Sequence, residues 1–219
     1  MIGIIDYGMG NLKSICNALD KLNEKYLISS YKYDLRKCDG LILPGVGSFK
    51  EAMFNLRKDG LYSVVKETGR VGTPLLGICL GMQLLFEMGY EGDETKGIGL
   101  LKGKVIKMNE KNLRVPNIGW NSLTINKEDD FIGDLKDESY MYYVHSYYAK
   151  DYDKEDLVAY SDYYGLNVPG IVRKDNIIGA QFHPEKSGEE GLKLLRKFCD
   201  ICNDRALNEG DTYDYNTGN

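Results

Sequence analysis

The sequence has 219 residues, 42% of them hydrophobic, and a formal net charge of −5 from 28 basic and 33 acidic side chains. This length favours a single domain that can bury roughly 70% of its unfolded surface. The sequence has no basic stripe, no apolar run near the roughly 18 residues of a membrane span and no charged segment before its first apolar run, which argues against nucleic-acid binding, membrane insertion and a cleaved secretion signal.

The first half of the chain alternates short apolar runs with helical patterns. Four apolar runs predict buried strands, at 2–5, 26–28, 40–43 and 74–78. Three segments with helical spacing predict helices, at 12–22, 49–56 and 80–88. Asn11 is suited to cap the first of these helices. This alternation predicts an α/β fold, an open, mostly parallel twisted sheet with helices on both faces.

The second half of the chain is rich in strand patterns and predicts an antiparallel elaboration of the sheet. Five strands are expected, at 100–108, 122–125, 140–149, 157–163 and 170–182, the last folded back at Asp175-Asn176. A final helix opens with Ser187 and Glu190 in capping-box spacing and runs to Cys202. We expect one domain over 1–202 and a polar, disordered tail over 203–219.

The five cysteines, at positions 16, 38, 79, 199 and 202, cannot all pair within one chain. This argues against a secreted disulfide scaffold and favours reduced thiols in the cytoplasm. Cys199 and Cys202 form a C-x-x-C, but a zinc site needs further ligands, and the two histidines show no matching spacing. We therefore expect the pair to pack in the core, and we expect no metal site.

A candidate nucleophile lies between the strand at 74–78 and the helix that follows it. The motif Gly77-Ile78-Cys79-Leu80-Gly81 has the G-x-nucleophile-x-G pattern of a nucleophile elbow, with sulfur in place of a hydroxyl. The following helix directs its free N–H groups at the sulfur, but this effect reaches at most about 2 kcal/mol. A base should therefore lie nearby. The alternative for Cys79 is a buried cysteine in a glycine-rich turn.

His183 is the stronger of two candidate bases. It is followed by Pro184, which favours an extended backbone, so that Glu185 can lie beside the imidazole and fix its tautomer. The rival, His145, has no carboxylate within two residues and lies among tyrosines. An oxyanion hole could combine the Leu80 N–H with an N–H of the turn 44–47, although such a turn alone is not specific.

A nucleotide cofactor is not expected. Gly8 and Gly10 begin a glycine-rich turn after the first strand, but Lys13 stands where the dinucleotide fingerprint needs its third glycine.

Several motifs resemble those of the class I glutamine amidotransferases, namely Pro-Gly-Val-Gly (44–47), Gly-Ile-Cys-Leu-Gly-Met-Gln (77–83) and Phe-His-Pro-Glu-Lys (182–186). The segments 6–11, 115–121 and 144–147 narrow the resemblance to the glutaminase subunits of imidazole glycerol phosphate synthases. The resemblance extends from residue 2 to about residue 202 and leaves out only the tail.

The resemblance implies that L-glutamine is hydrolysed to glutamate and ammonia through a thioester on Cys79, with His183 and Glu185 completing a triad. The ammonia would pass to a TIM-barrel cyclase subunit in a heterodimer that makes imidazole glycerol phosphate and AICAR in histidine biosynthesis. The resemblance also implies roles for further residues: Val46, Gly47 and Leu80 in the oxyanion hole, Gln83, Glu91, His145, Ser146 and Tyr147 in substrate binding, and Asn11, Trp120 and Lys186 at the partner interface.

Three alternatives stay open. A paralogous glutaminase could supply ammonia for surface-sugar amidation, and the neighbouring genes would distinguish it. A stand-alone cysteine hydrolase or peptidase could use the same scaffold, and protection of Cys79 from alkylation by glutamine would argue against it. A binding module with a vestigial site is disfavoured by the complete Cys-His-Glu set.

Overall fold

A nine-stranded mixed sheet and a second sheet of four strands form the framework of the described chain. The structure is a computed structural model that describes residues 1–109, 113–133 and 135–210. The strands are β1 Ile2–Ile5, β2 Tyr26–Ser29, β3 Gly40–Leu43, β4 Leu75–Ile78, β5 Met88–Glu91, β6 Asp93–Lys96, β7 Lys104–Lys107, β8 Asn117–Ile125, β9 Ser139–His145, β10 Tyr147–Lys150, β11 Leu157–Tyr163, β12 Leu166–Lys174 and β13 Ile177–Ala180. The helices are α1 Leu12–Lys21, α2 Lys32–Leu35, α3 Phe49–Lys58, α4 Leu61–Val71, α5 Leu80–Leu84 and α6 Gly188–Gly210, with 3₁₀ turns at Lys154–Asp156 and Pro184–Lys186.

The large sheet has the strand order β2-β1-β3-β4-β13-β12-β11-β8-β9. Pairing is parallel from β2 to β13 and antiparallel from β13 to β9. The predicted α/β fold with an antiparallel second half is confirmed, and the sheet as a whole is mixed. Because β4 and β13 are parallel neighbours, the segments that follow them emerge side by side at one edge of the sheet.

Helices cover both faces of the large sheet, as predicted. Successive residues of β1 point to opposite faces, so that Ile4 packs in the hydrophobic cluster that includes residues of α1 and α6, and Ile5 in the cluster that includes residues of α3 and α4. Cys199 and Cys202 are fully buried in the first cluster, as expected from the sequence. No described helix has the length and apolar character needed to cross a membrane.

Several predicted elements of the chain are wrong in extent. The strand expected over 100–108 covers only Lys104–Lys107, and the one expected over 122–125 begins at Asn117. The helix expected over 80–88 ends at Leu84, and Met88 begins β5. Its early end has a tertiary cause, because the carbonyl oxygen of Leu84 accepts a hydrogen bond from the N–H of Ile98, a residue of a later loop. The single strand expected over 140–149 is divided between β9 and β10, which belong to different sheets.

The C-terminal prediction also needs correction. α6 continues to Gly210, so that the helix includes 203–210 of the predicted disordered tail, and the remainder, 211–219, lies outside the described residues. The capping box is not formed in the predicted way, because the hydroxyl of Ser187 bonds instead to Tyr142 and His183. The predicted turn at Asp175 joins β12 to β13, with Asp175 at a φ of 52°.

Candidate active site

Cys79 occupies a strained turn between β4 and α5. Its backbone has φ 55° and ψ −112°, a conformation that non-glycine residues rarely adopt and that typically costs about 1–3 kcal/mol. Gly81 allows the turn, because a Cβ there would lie 1.9 Å from the carbonyl oxygen of Leu43. The N–H of Cys79 donates to the carbonyl of Ala180 at 2.7 Å and so ties the turn to β13. The side chain is thereby directed out of the sheet edge, the placement a nucleophile needs.

The imidazole of His183 follows β13 and faces Cys79. Its Nδ1 lies 2.8 Å from Oε1 of Glu185, and both side chains are almost completely buried. His183 itself is extended, as predicted, with φ −102° and ψ 94°, but the residues after it form the 3₁₀ turn Pro184–Lys186, where the sequence predicted a continued extended segment. The ring's other nitrogen, Nε2, is buried and has no hydrogen-bonding partner among the described oxygen and nitrogen atoms. It is therefore the atom available to the thiol.

The charge state of His183 follows from its neighbours. Burial alone would lower its pKa, but the interactions with Cys79 and Glu185 outweigh burial and raise the pKa of His183 to about 9. The helix α5 that follows Cys79 is only five residues long, so its dipole adds little. An imidazole that is held by a carboxylate and whose pKa is raised can take the proton of a neighbouring thiol, which activates the sulfur as a nucleophile.

His145, the rival base, is held as a neutral ring. Its Nδ1 lies 2.9 Å from the carbonyl oxygen of Tyr147, which can only accept, so Nδ1 carries the proton. Its Nε2, 3.1 Å from Nδ2 of Asn117, then accepts a hydrogen bond. Burial lowers the pKa of His145 to about 4, partly offset by the Tyr147 carbonyl and reinforced by the charge of His183. The two histidines thus differ in setting, with His183 beside Cys79 and His145 held in a buried hydrogen-bond network.

The turn 44–47 follows β3 and lies against the elbow. Gly45 packs so closely that a Cβ there would lie 2.5 Å from the backbone nitrogen of Gly81. The hydroxyl of Tyr7 donates to the carbonyl of Pro44 at 2.7 Å and holds the start of the turn. Gly47 has a φ of 97°, which favours glycine. The turn therefore brings Val46 and Gly47 to the cavity beside Cys79, in the region where the sequence predicted a second oxyanion donor.

A cavity of about 300 Å³ opens in front of Cys79. Its volume is at the lower end of the range for small-molecule sites. Every residue predicted for the triad, the oxyanion hole or substrate binding lines this cavity, except Glu185. Besides Cys79, the lining residues are Val46, Gly47, Leu80, Gln83, Glu91, Pro116, Val144, His145, Ser146, Tyr147 and His183. Residues far apart in the sequence thus meet at one site.

The side chain of Gln83 has a fixed orientation in this cavity. Its Nε2 donates to the carbonyl of Tyr147 at 2.9 Å and to Oε1 of Gln181 at 3.0 Å. Because both partners are acceptors, the amide nitrogen must face them, and the Oε1 atom of Gln83 is left as an acceptor. Gln181 is fully buried and its own Nε2 lies 4.0 Å from the sulfur of Cys79. No role for Gln181 follows from the sequence alone, although it lies two residues before the His-Pro-Glu motif.

Glu91 places a carboxylate in the wall of the cavity. Its Oε2 accepts a hydrogen bond from the N–H of Phe49, the first residue of α3, at 2.7 Å. The residues around Glu91 match the family motifs less well than those around Cys79. Its position in the cavity wall depends on the β5–β6 hairpin, which the sequence did not indicate. Burial, followed by the charge of Glu91, raises the pKa of the Tyr147 phenol. A carboxylate here can pair with an ammonium group.

The three predicted interface residues do not line the cavity, but each lies on or beside an element that contacts the segment after His183. Trp120 on β8 is 53% exposed and contacts the ring of Tyr142 edge to face, with centroids 5.8 Å apart. Lys186 ends the 3₁₀ turn that begins directly after His183, and its side chain has no described hydrogen bond or ion pair. Asn11 caps α1 by accepting from the N–H of Ser14, and α1 packs against the turn that contains Lys186.

The chain is similar over most of its length to proteins of known family. A family profile described as "Glutamine amidotransferase class-I" matches residues 3–202. "Imidazole glycerol phosphate synthase subunit HisH" from Geobacillus sp. (strain WCH70) is 48% identical over 206 residues, covering 92% of this chain and 97% of that protein. The protein of the same name from Lactococcus lactis subsp. lactis (strain IL1403) is 50% identical over 199 residues, covering 90% and 96%.

Solved structures share the fold at low sequence identity. One described as "Crystal structure of glutamine amidotransferase" superposes with a TM-score of 0.73 at 20% identity, covering 92% of this chain and 98% of that one. "Structure of PurLQS from Thermotoga maritima" gives a TM-score of 0.68 at 20% identity, covering 91% and 97%.

Proposed function

The chain belongs to the class I glutamine amidotransferase family, and from that premise we propose that it is the glutaminase subunit of an imidazole glycerol phosphate synthase. It hydrolyses L-glutamine to glutamate and ammonia, and a cyclase subunit consumes the ammonia in histidine biosynthesis. The observation that carries the proposal is that Cys79 and His183 line one cavity, with Glu185 behind the imidazole at 2.8 Å from its Nδ1. The names of the relatives support the choice of synthase.

The first chemical step forms a thioester. His183 takes the proton of the Cys79 thiol, and the sulfur attacks the side-chain amide carbon of glutamine. The oxygen that becomes negative is stabilised by the N–H of Leu80 and an N–H of Val46 or Gly47. The His183 imidazolium then gives its proton to the departing nitrogen, which leaves as ammonia. A correctly placed oxyanion donor contributes about 2.7–4 kcal/mol to such a step.

The second step restores the enzyme. His183, now neutral, removes a proton from water as the water oxygen attacks the thioester carbon. The C–S bond breaks to release glutamate, and His183 returns the proton to the sulfur of Cys79. Glu185 holds the ring through its contact with Nδ1 in both steps, at 2.8 Å. The carboxylate of Glu91 is the group in the cavity suited to bind the α-ammonium group of the substrate.

An exposed apolar face on β8 and β9 is consistent with a partner subunit that binds beside the site. Strands β8 and β9 pair Ile118 with Val144 and Trp120 with Tyr142, so that these residues share one face. Ile118, Trp120 and Tyr140 are each more than half exposed. Contiguous exposed apolar residues of this kind are typical of protein interfaces, and aromatic residues are enriched there. We place the cyclase subunit on this face, with Lys186 and Asn11 at its margin. Cytoplasmic location remains a prediction from the cysteine content.

The test is release of glutamate and ammonia from glutamine, measured with and without a candidate cyclase subunit and its nucleotide ligand. We expect hydrolysis of glutamine but not of asparagine, loss of activity in Cys79→Ala, and protection of Cys79 from iodoacetamide by glutamine. Hydrolysis of unrelated amides or peptides, without protection by glutamine, would instead favour the stand-alone hydrolase. Ammonia transfer to a sugar-pathway acceptor but not to a cyclase would favour the paralogous glutaminase.

A further inference from the structure

Ser187 connects the base to the neighbouring edge strand. It is 2% exposed and lies directly after the turn Pro184–Lys186. Its Oγ accepts a hydrogen bond from the backbone N–H of Tyr142 at 3.0 Å and donates to the carbonyl of His183 at 2.7 Å. The hydroxyl is therefore used twice, once toward β9 and once toward the residue that carries the imidazole.

A third hydrogen bond completes the connection. The N–H of His183 donates to the carbonyl of Tyr142 at 2.9 Å, so that both backbone groups of Tyr142 are engaged by the His183–Ser187 segment. β9 is the last strand of the large sheet, so the backbone groups along its outer edge have no neighbouring strand to pair with in the described part of the chain. At Tyr142, the His183–Ser187 segment supplies the hydrogen bonds instead. The turn that contains His183 and Glu185 is thus attached to β9 at a single position, and Ser187 supplies the only side chain in that attachment among the described residues.

The same strand also contacts the nucleophile and the exposed face. The carbonyl of Val144, two residues after Tyr142, lies 3.7 Å from the sulfur of Cys79. The ring of Tyr142 packs against the exposed Trp120. The position of β9 relative to the turn therefore sets how the imidazole faces the sulfur.

We propose that Ser187 is a positioning residue, whose hydroxyl fixes the His183 turn on β9 so that Nε2 stays directed at Cys79. The inference rests on the proposed glutaminase function and adds to it a residue that touches neither substrate nor the reacting atoms. His183 and Glu185 belong to the same turn and move together, so loss of the hydroxyl affects the alignment with Cys79 and not the pairing within the turn.

The test compares Ser187→Ala with a matched control, Ser161→Ala. Ser161 is 1% exposed, and its hydroxyl forms a buried hydrogen bond of 2.7 Å with Tyr143, another residue of β9, but it does not contact the His183 turn. Each substitution removes one buried hydroxyl. Steady-state kinetics with glutamine, thermal unfolding and the rate of Cys79 alkylation by iodoacetamide at pH 7 are measured for both variants and the wild type.

For Ser187→Ala we expect kcat to fall about tenfold or more, with KM changed by less than about twofold, because alignment and not substrate binding is lost. The alkylation rate of Cys79, followed on its peptide by mass spectrometry, should fall by about threefold or more as the sulfur loses its imidazolium partner. Ser161→Ala should keep the kcat and alkylation rate of the wild type even where its melting temperature falls.

Wild-type kcat and alkylation in Ser187→Ala would overturn the proposal, and so would equal losses in both variants, which would indicate a purely structural role. If Ser187→Ala fails to fold, Ser187→Cys keeps a side chain of similar shape with a weaker hydrogen-bonding group, and a smaller loss of kcat in the same direction is expected. If the wild type does not hydrolyse glutamine, the proposed function fails, and the alkylation rates then decide the role of Ser187 by themselves.

Discussion

The two histidines of this chain lie in opposite electrostatic settings, and this gives a direct prediction. His183 has its pKa raised to about 9 by Cys79 and Glu185 against the effect of burial, and burial lowers that of His145 to about 4. Because the chain has two histidines in all, their ring signals can be followed by NMR without ambiguity. We expect one ring charged and the other neutral between pH 5 and pH 8. Two signals that titrate together near 6.5 would contradict this.

The same shifts predict opposite effects on stability. The pKa of His145 is lowered from 6.5, so the stability that its neutral ring contributes is present above pH 6.5 and is lost as the pH falls toward 4. The pKa of His183 is raised from 6.5, so its contribution is present below pH 6.5 and is lost as the pH rises through 9. We expect urea unfolding to show that the wild type loses stability between pH 6.5 and pH 4 and that His145→Asn loses less over the same range.

Single substitutions at the triad should differ in severity. We expect His183→Ala to lower kcat by about 10²-fold or more, because both the base and the proton donor are lost. Glu185→Gln should be milder, because its side-chain oxygen can still accept from Nδ1 of His183, which lies 2.8 Å from the present carboxylate. Glutamine turnover measures both effects. A Glu185→Gln enzyme more impaired than His183→Ala would reverse the assigned order.

At the scale of elements, the elbow depends on close approach between β3 and α5. Both Gly81 and Gly69 are helical, and propensity alone predicts that alanine stabilises each position by about 1 kcal/mol. At Gly81 a Cβ would lie 1.9 Å from a backbone oxygen of β3, so we expect Gly81→Ala to cost about 1–3 kcal/mol or more and to abolish activity. At Gly69 the nearest atom is the flexible tip of Leu100, and Gly69→Ala should be neutral or stabilising. Urea unfolding measures the change in the free energy of unfolding for each variant and so distinguishes the two predictions.

At the scale of the whole molecule, the exposed face of β8 and β9 should carry the partner. We expect Trp120→Ala to weaken cyclase binding by about 2 kcal/mol, or roughly 30-fold in Kd, as is typical of an aromatic hot spot. Tyr31→Ala is the matched control, since Tyr31 is 72% exposed but lies just before α2, near β2 at the opposite edge of the sheet. Isothermal titration measures both affinities. An equal effect of the two substitutions would argue against this face.

Activity should depend on the assembled complex. Free ammonia is wasted at neutral pH, so a coupled enzyme should hydrolyse glutamine slowly until its acceptor site is filled. The turn 44–47 suits this control, because glycines on both sides of Val46 let its peptide reorient at little cost. We expect the cyclase with its ligand to raise glutamine turnover about tenfold or more, because reorientation of the Val46 peptide would add one N–H donor to the oxyanion hole. Lys186→Ala should reduce this factor. Full activity of the isolated chain would contradict the coupling.

The sequence determined much of this protein by itself. Apolar runs and helical spacing located β1 to β4 with α1 and α3, because these elements bury their side chains in regular, local patterns. The elbow motif indicated Cys79, because the strained turn requires small residues at fixed positions on both sides of the nucleophile, here Gly77 and Gly81. The spacing of His183 and Glu185 indicated their contact, although the turn that makes it is 3₁₀ and not extended.

Only the tertiary structure decided the rest. α5 ends early because the N–H of Ile98 bonds to its last carbonyl, and the 140–149 run is divided because its two halves pair with different sheets. Gln181 and Ser187 acquire their roles from partners far away in the sequence. Local patterns record which residues are buried, but hydrogen bonds between distant segments form only once the strands are placed, and these bonds fix the geometry around Cys79.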